Sequence, residues 1–413
     1  MREPVLERLH RAEQAKLAPL RNRHFRHAFA GRVVTSAGSW MQITAAGWLV
    51  YELTGNAAAV GVLALLNRGP GLFSIYSGML VDRFDARRVG MVLYGVQIVP
   101  AVLLAVIAWD HAAAIWPIYV LVFIAGVGTA LNTATLPTLV PQTVPREELA
   151  AANALSGIGF STASLAGPLI GGALVVTVGA GACFLANALS YVALIALMLS
   201  LPPAARHARD AGQGLRPALE AAHRGSTLSI LLGATAVFAL LVGPIQELAP
   251  VIASRQDDSA HVLGLMLAAL AAGGILGNLL IGFDEAPMAT RQRLLGAAGL
   301  LVAASMVALA FAETLFLSLL SMFGVGIIWE ASFIQLMTWL QADSPSGLSG
   351  REVGLFFTIN LAGLAFGALA VGFVFDHIGV TEGLLLCAAG MVVWGVRMLL
   401  ISRMPPPGLE PGT

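Results

Sequence analysis

Apolar runs of about 20 residues, separated by short polar segments, recur along almost the whole chain. A run of that length spans the hydrocarbon core of a bilayer as a helix, because a helix satisfies its own backbone hydrogen bonds there. Charged residues make up 11% of the sequence and the mean hydropathy is +0.82. That is too little charge to cover a water-facing surface. The sequence therefore predicts an all-α membrane protein with many spans.

Twelve such runs are predicted to be transmembrane helices. They cover 28–52, 57–81, 89–109, 114–138, 150–177, 179–201, 227–253, 262–283, 294–311, 314–340, 353–376 and 380–402. The polar segments 1–27 and 404–413 are predicted to be terminal tails. The first of these tails is polar and basic, so it does not resemble a cleavable signal peptide.

The longest polar connection, 202–226, divides the twelve helices into halves at 28–201 and 227–403. Three features of the first half have counterparts about 200 positions later, as expected for duplicated six-helix halves. These pairs are Asp82 with Asp284, Arg146 with Arg351, and Gly167 with Gly367. We therefore expect two pseudo-symmetric halves joined by a linker.

The distribution of basic residues predicts the orientation of the chain. If the N-terminus is inside, nineteen of the Arg and Lys residues fall in cytoplasmic segments and one, Arg255, falls outside. Positive charge is retained on the cytoplasmic side of a membrane. Both termini are therefore expected in the cytoplasm of a bacterial cell, with the chain in the inner membrane.

A charged loop, SGMLVDRFDARR at 77–88, lies between the second and third apolar runs. Its arginines, Arg83, Arg87 and Arg88, cannot lie in hydrocarbon, so they mark a membrane face. Gly78 allows close approach of another backbone just before the loop.

This loop resembles the signature between helices 2 and 3 of the major facilitator superfamily. Asp85 stands where the superfamily has a glycine, which is similar to the transmembrane secretion-effector branch with its siderophore exporters. The resemblance implies that Gly78, Asp82 and the loop arginines form a cytoplasmic latch, made in one conformational state by charge-assisted hydrogen bonds. The segment VPREELAAANALSG at 144–157 resembles the same branch.

The fifth predicted helix carries Gly167-Pro168-Leu169-Ile170-Gly171-Gly172, which resembles the antiporter motif of exporters in this superfamily. Proline removes a helix hydrogen bond and glycines permit tight packing, so Gly167, Pro168, Gly171 and Gly172 form a candidate hinge. Ala163 replaces an earlier glycine of the motif. The alternative is ordinary packing of small residues.

Charges within the predicted spans are costly unless they are paired or hydrated. Arg68, Glu247 and Glu330 are of this kind. In the superfamily, helices 1, 4, 7 and 10 line the central cavity, so both glutamates are expected to face it. We predict that Glu330, or else Glu247, binds the coupled proton, since a carboxylate in a low-dielectric cavity can take up a proton near neutral pH. Arg68 could pair with one of them or attract an anionic substrate. The alternative is a static buried ion pair that holds the helices together.

Other residues are expected at the same cavity from their helix positions. The polar candidates are Gln42, Asn132 and Gln335, and the aromatic candidates are Trp40, Trp48, Trp329 and Phe333. Asp376, near the end of the eleventh run, needs no special role. The fourth run contains no arginine, although proton antiporters of the superfamily often carry one there.

Nothing in the sequence predicts an enzyme, a cofactor or a metal site. Lys16 is the single lysine and no Gly-Lys pair exists, which excludes a P-loop. Cys183 and Cys387 lie in apolar runs and are expected to be packing residues. The balanced net charge gives no reason to expect nucleic acid.

The resemblance implies a transporter whose halves rock about a site at the membrane midplane. The expected partners are a small-molecule substrate, protons and the lipid bilayer, with the chain acting as a monomer. We expect export of a siderophore or drug-like metabolite by proton antiport. Two alternatives stay open: an uncoupled facilitator or importer, and a non-transporting receptor or assembly component on the same fold.

Overall fold

The computed structural model describes residues 18–109, 114–139, 143–200, 226–256, 259–280, 287–343 and 349–403. Every regular element within these ranges is a helix. The linker at 202–226, except Ser226, the tail segments 1–17 and 404–413, and Asp284 lie outside the described residues, so the predictions made for them stay predictions.

Twelve helical regions follow one another in the described ranges, and each corresponds to one predicted span. They are α1 (Arg23–Thr54), α2 (Ala57–Arg68, a 3-10 turn at Gly69–Phe73, then Ser74–Arg83), α3 (Ala86–Trp109), α4 (Ile115–Asn132 with Thr135–Leu139), α5 (Leu149–Val178), α6 (Ala180–Leu199), α7 (Ser226–Leu241 with the short helices Pro244–Glu247 and Ala249–Ala253), α8 (Ala260–Leu280), α9 (Met288–Ala310), α10 (Leu315–Asp343), α11 (Ser349–Ile378) and α12 (Val380–Ile401).

Ten of these helices, α3 to α12, are long and apolar enough to cross a membrane. The other two are α1, which is 32 residues long, and α2, whose apolar part is the shorter stretch Ala57–Phe73. Gly69, Pro70 and Gly71 explain the interruption of α2. Proline cannot donate a backbone hydrogen bond and glycine is a poor helix former. The prediction of an all-α membrane protein is confirmed, and the twelve described helical regions correspond to the twelve predicted spans.

The chain divides into two compact units. The first contains the described residues up to Leu53 and those from Gly69 to the end of α6. The second contains Thr54–Arg68 together with α7 to α12. The first part of α2 therefore packs with the second unit, although it precedes most of the first unit in the sequence.

The same helix pairs pack within each unit. In the first unit α3 contacts α6 and α4, and in the second unit α9 contacts α12 and α10. Gly167 of α5 lies against Trp40 of α1, and its counterpart Gly367 of α11 lies against Leu240 of α7. This repetition shows the pseudo-symmetry that was predicted from sequence offsets.

Two matched turns provide a further sign of the duplication. Gly179 joins α5 to α6 with φ +97°, and Gly379 joins α11 to α12 with φ +100°. Both backbone angles lie in a region that side chains disfavour, so glycine is required at each turn. Each glycine N–H donates to carbonyls at the end of the preceding helix, Gly179 to Leu174 and Val175 and Gly379 to Phe375.

Candidate transport site

Arg68 and Glu247 form a partly buried ion pair within the second unit. The Nε and Nη2 atoms of Arg68 lie 3.0 and 2.9 Å from Oε1 of Glu247. The Glu247 side chain is 6% exposed and that of Arg68 is 21% exposed. Each charge here offsets the desolvation of the other, so removing either one would leave an uncompensated charge.

Both partners of this pair sit where a helix is broken. Arg68 is the last residue of Ala57–Arg68, directly before the 3-10 turn. Glu247 is the last residue of the four-residue helix that Pro244 begins. Proline suits the first position of a helix but ends the one before it. The two breaks therefore place these charged side chains at the ends of helical segments.

Glu330 lies near the middle of α10 and has no such partner. Its side chain is partly buried, and within the described part of the chain it makes no hydrogen bond or ion pair. It lies against Gly274 of α8, where an added Cβ atom would come within 2.6 Å of Glu330 Cγ. The glycine leaves the space that the glutamate side chain occupies. Of the two glutamates, Glu247 is therefore the one held by a described cation, and Glu330 is not.

Glycines on α8 bring α10 close enough for this contact. A Cβ atom on Gly273 would overlap the carbonyl oxygen of Phe323, and one on Gly277 would overlap that of Ile327. Such backbone contact is the usual role of small residues between membrane helices. Of these α8 glycines, Gly274 is the one that lies against Glu330 in the described structure.

The aromatic and amide candidates on α10 differ in their surroundings. Phe333, one turn after Glu330, has its ring centroid 5.2 Å from that of Phe356 and 6.1 Å from that of Phe357. Gln335 is partly buried and makes no hydrogen bond to a described residue. Glu330 and Phe333 are three positions apart and share a face of α10.

Gln42 belongs to a buried polar network inside the first unit. Its Oε1 accepts a hydrogen bond from Asn187 Nδ2 at 2.8 Å, and Asn187 Nδ2 also lies 3.1 Å from the Tyr191 hydroxyl. The Tyr191 hydroxyl donates to Gln97 Oε1 at 3.3 Å, and Thr129 donates to the same oxygen at 3.1 Å. The network links α1, α3, α4 and α6. Sequence reasoning missed its members other than Gln42, although each is a polar residue within an apolar run.

Asn132, the candidate on α4, is 7% exposed, and neither polar atom of its amide has a partner in the described structure. The buried hydroxyl of Thr135 also has none. Between them in sequence, the Ala134 N–H donates to Ser77 Oγ at 2.9 Å. Buried polar groups without a hydrogen-bond partner are uncommon in folded proteins. Asn132 and Thr135 therefore form an unusual buried polar region in the first unit.

The predicted latch residues lie at the end of α2 and the start of α3. Arg83 and Arg88 are exposed, while Arg87 Nη2 donates to the Leu199 carbonyl at 2.8 Å. That carbonyl is at the C-terminal end of α6, where a cation is favoured. Gly78 has no atom within 4 Å of an added Cβ, and the side chain of Asp82 lies outside the described residues.

Asp85, the residue that replaces the superfamily's glycine, directly precedes α3. Its side-chain oxygen accepts a hydrogen bond from the Arg87 N–H at 2.9 Å, and its carbonyl accepts from the Val89 N–H at 2.9 Å. These are the bonds of a helix N-cap, for which aspartate is a preferred residue. Capping of α3 therefore explains, in local structural terms, why an aspartate occupies position 85.

The predicted hinge lies within one uninterrupted helix, α5, with Pro168 inside it. Gly167 and Gly171 contact α1: added Cβ atoms would lie 2.9 Å from the Ala37 carbonyl oxygen and 3.1 Å from Met41 Cα. Gly172 is buried. Close packing of these glycines is expected both for a hinge and for ordinary packing of small residues. Bending at Pro168 therefore stays a prediction.

Comparison with known proteins identifies the family. The model of the family described as transmembrane secretion effector matches residues 14–408. The chain belongs to that family. The resemblance to the secretion-effector branch of the major facilitator superfamily is thereby confirmed.

Similar proteins include two enterobactin exporters. EntS of Salmonella choleraesuis (strain SC-B67) is 26% identical over 406 residues, covering 94% of this chain and 96% of that protein. EntS of Citrobacter koseri is 27% identical over 377 residues, covering 87% and 85%. Both are transporters by name.

Solved structures agree with the fold. The nucleoside transporter NupG has a TM-score of 0.75 at 14% identity, covering 92% of this chain and 100% of that chain. A mutant of the peptide transporter POT has a TM-score of 0.73 at 13% identity, covering 92% and 94%. At these identities the likeness shows the major facilitator fold alone. The family match and the described membrane spans together show that the chain is a multi-span membrane transporter.

Proposed function

We propose that this secretion effector exports a small organic molecule, a siderophore or drug-like metabolite, from the cytoplasm in exchange for protons. It acts as a transporter and not as an enzyme, in a bacterial inner membrane with both termini cytoplasmic. Two kinds of support exist. The relatives described above are named as enterobactin exporters, and the arginine distribution favours this orientation.

The observation that carries proton coupling is the contrast between the two glutamates. Glu247 is held by Arg68 at 2.9 Å, so its negative charge is compensated. Glu330 is partly buried in the middle of a spanning helix with no cation beside it in the described structure. An unpaired charge in that position is costly, and taking up a proton removes the cost. We therefore assign the coupled proton to Glu330, and to the Arg68–Glu247 pair a role in holding the helices together.

Alternating access supplies roles for the other predicted residues. The loop residues Gly78, Asp82, Arg83 and Arg88 form the latch on the cytoplasmic side, with Arg87 anchored on α6. The Pro168 region of α5 bends as the two halves rock. These assignments rest on the resemblance to exporters of the superfamily, and each can be tested by substitution.

The test is export in inverted membrane vesicles under an imposed proton gradient, with enterobactin and a panel of fluorescent dyes as probes. Glu330→Gln is expected to abolish gradient-driven uptake into the vesicles while leaving exchange of labelled for unlabelled substrate intact. Glu313→Gln is the matched control, since Glu313 is exposed in the loop between α9 and α10. Gradient-driven uptake by Glu330→Gln at the wild-type rate would reject the assignment.

A second candidate, an uncoupled facilitator, has one observation in its favour. Helix α4 (Ile115–Asn132) contains no arginine, whereas proton antiporters of the superfamily often carry one there. Movement of substrate that is indifferent to an uncoupler in both wild type and Glu330→Gln would establish this alternative. Absence of movement for every probe, with folded protein present, would favour a receptor or an assembly component.

A further inference from the structure

The start of α2 is anchored by a side chain from α11. The N–H groups of Ala57 and Ala58 donate to Oδ1 and Oδ2 of Asp376 at 2.7 and 2.8 Å. The next N–H, of Ala59, donates to Asn56 Oδ1 at 2.9 Å. The first N–H groups of a helix have no partner within the helix, so Asp376 satisfies two of them at once. Such bonds to a carboxylate are among the stronger hydrogen bonds in proteins.

Close backbone packing continues from this anchor. A Cβ atom on Gly61 would lie 2.6 Å from the Ala368 carbonyl oxygen, and one on Gly372 would lie 2.6 Å from the Ala57 carbonyl oxygen. Glycine on each helix therefore lets the two backbones touch. Val60 is 1% exposed. The Ala57–Arg68 segment lies flat against α11 along this stretch.

The other end of the segment is held by the Arg68–Glu247 pair described above. Directly after Arg68 the helix gives way to the 3-10 turn Gly69–Phe73, and there the chain passes from the second compact unit to the first. The Ala57–Arg68 segment thus has a carboxylate at each end, both from the second half of the sequence, and a break in the helix beside it.

We propose that the Ala57–Arg68 segment is a detachable gate of the transporter and that Asp376 is the positioning residue that holds it closed. This proposal rests on the proposed transport function and orientation, in which Ala57 and Asp376 lie at the outer face of the inner membrane. Detachment of the segment from α11, with bending at Gly69–Phe73, opens the outer side and lets the substrate leave. Release breaks the polar contacts at both ends and the packing of one face of the segment, so it needs no rearrangement within α11 itself.

The test measures how often the segment leaves α11. Val60→Cys, in a background with Cys183→Ala and Cys387→Ala, places a thiol at a position that is 1% exposed when the segment is docked. Its rate of reaction with a membrane-impermeant maleimide reports undocking. Glu52→Cys, at an exposed position at the end of α1, is the control reporter and is expected to react at one rate in every variant.

Asp376→Ala removes both hydrogen bonds and is expected to raise the Val60→Cys labelling rate at least about tenfold, because each bond to a charged acceptor contributes appreciably to docking. Asp376→Asn keeps one acceptor oxygen and is expected to restore part of the protection. Glu382→Ala, which removes an exposed carboxylate at the start of α12, is the matched control and should change nothing. An unchanged rate in both Asp376 variants overturns the proposal.

A gate also differs from a static contact in its dependence on turnover. In the wild type, labelling of Val60→Cys is expected to rise when substrate and a proton gradient drive export, and to fall back with an uncoupler. A labelling rate that ignores ongoing export would show a static contact and overturn the gate. Because the Asp376 comparison needs no substrate, failure of export alone would count against the proposed function and leave the effect of Asp376 measurable.

Discussion

The contact between α8 and α10 permits a sharp prediction for Gly273→Ala. The added Cβ atom would overlap the Phe323 carbonyl oxygen and would lie 2.9 Å from the Phe323 carbonyl carbon and 3.0 Å from the Ile327 nitrogen. All three are backbone atoms of α10, so no side chain can rotate away. The helices must therefore separate. Gly326 of α10 makes a second close contact of this kind, with the Leu270 carbonyl of α8.

The expected cost follows from these contacts. Overpacking a tight interface costs about 1–3 kcal/mol, and backbone overlap belongs at the upper end of that range. Alanine recovers about 1 kcal/mol because it is the better helix former. The net loss of about 2 kcal/mol corresponds to a melting temperature lower by about 4–8 °C for a unit of this size.

The measurement is thermal unfolding of purified protein in detergent, followed by intrinsic tryptophan fluorescence. Gly233→Ala in α7 is the matched control, because no atom lies within 4 Å of its added Cβ. That variant should melt at the wild-type temperature or slightly above it. If Gly273→Ala melts together with Gly233→Ala, the close approach of α8 and α10 is wrong.

Two further predictions use neighbouring contacts. Gly274→Ala places Cβ 2.6 Å from the Glu330 Cγ atom, which belongs to a side chain that can move. We therefore expect a near-normal melting temperature, but export slowed at least about fivefold because the carboxylate shifts. Normal export would show that the position of the carboxylate is not critical. Asn187→Leu and Gln42→Leu each leave a buried amide without its partner, so we expect each to cost about 1–3 kcal/mol and the double variant to cost less than the two together. Additive changes in melting temperature would contradict the 2.8 Å bond.

Hydropathy was sufficient to predict the twelve helices, because the requirement for apolar residues in lipid acts on each span separately. The interruption of α2 at Gly69-Pro70-Gly71 falls inside the predicted span 57–81, since an apolar run continues through a local break. The same holds for α7, where Gly243 and Pro244 break a run predicted as 227–253. Average hydropathy over about 20 residues does not register a break of this length.

The partners of polar side chains were predicted less well. Sequence analysis named Arg68 and two glutamates as possible partners, and only the structure shows that Glu247 is the one that pairs. Asp376 received no role, because nothing in the residues around it identifies the helix start that it caps at Ala57, 319 positions away. Long-range contacts of this kind depend on how helices pack, which a single sequence leaves undetermined.

Three carboxylates of the second unit illustrate how environment assigns roles to one chemical group. Asp376 is fixed by two backbone N–H groups, and Glu247 is fixed by a guanidinium. Glu330 has neither kind of donor in the described structure and lies against a glycine that gives it room. A carboxylate that must gain and lose a proton in each cycle cannot be tied to a permanent positive partner, whereas one that holds a helix must be. This difference supports the proposal that Glu330 takes up the coupled proton, whereas the contacts at the ends of the Ala57–Arg68 segment involve the other two carboxylates.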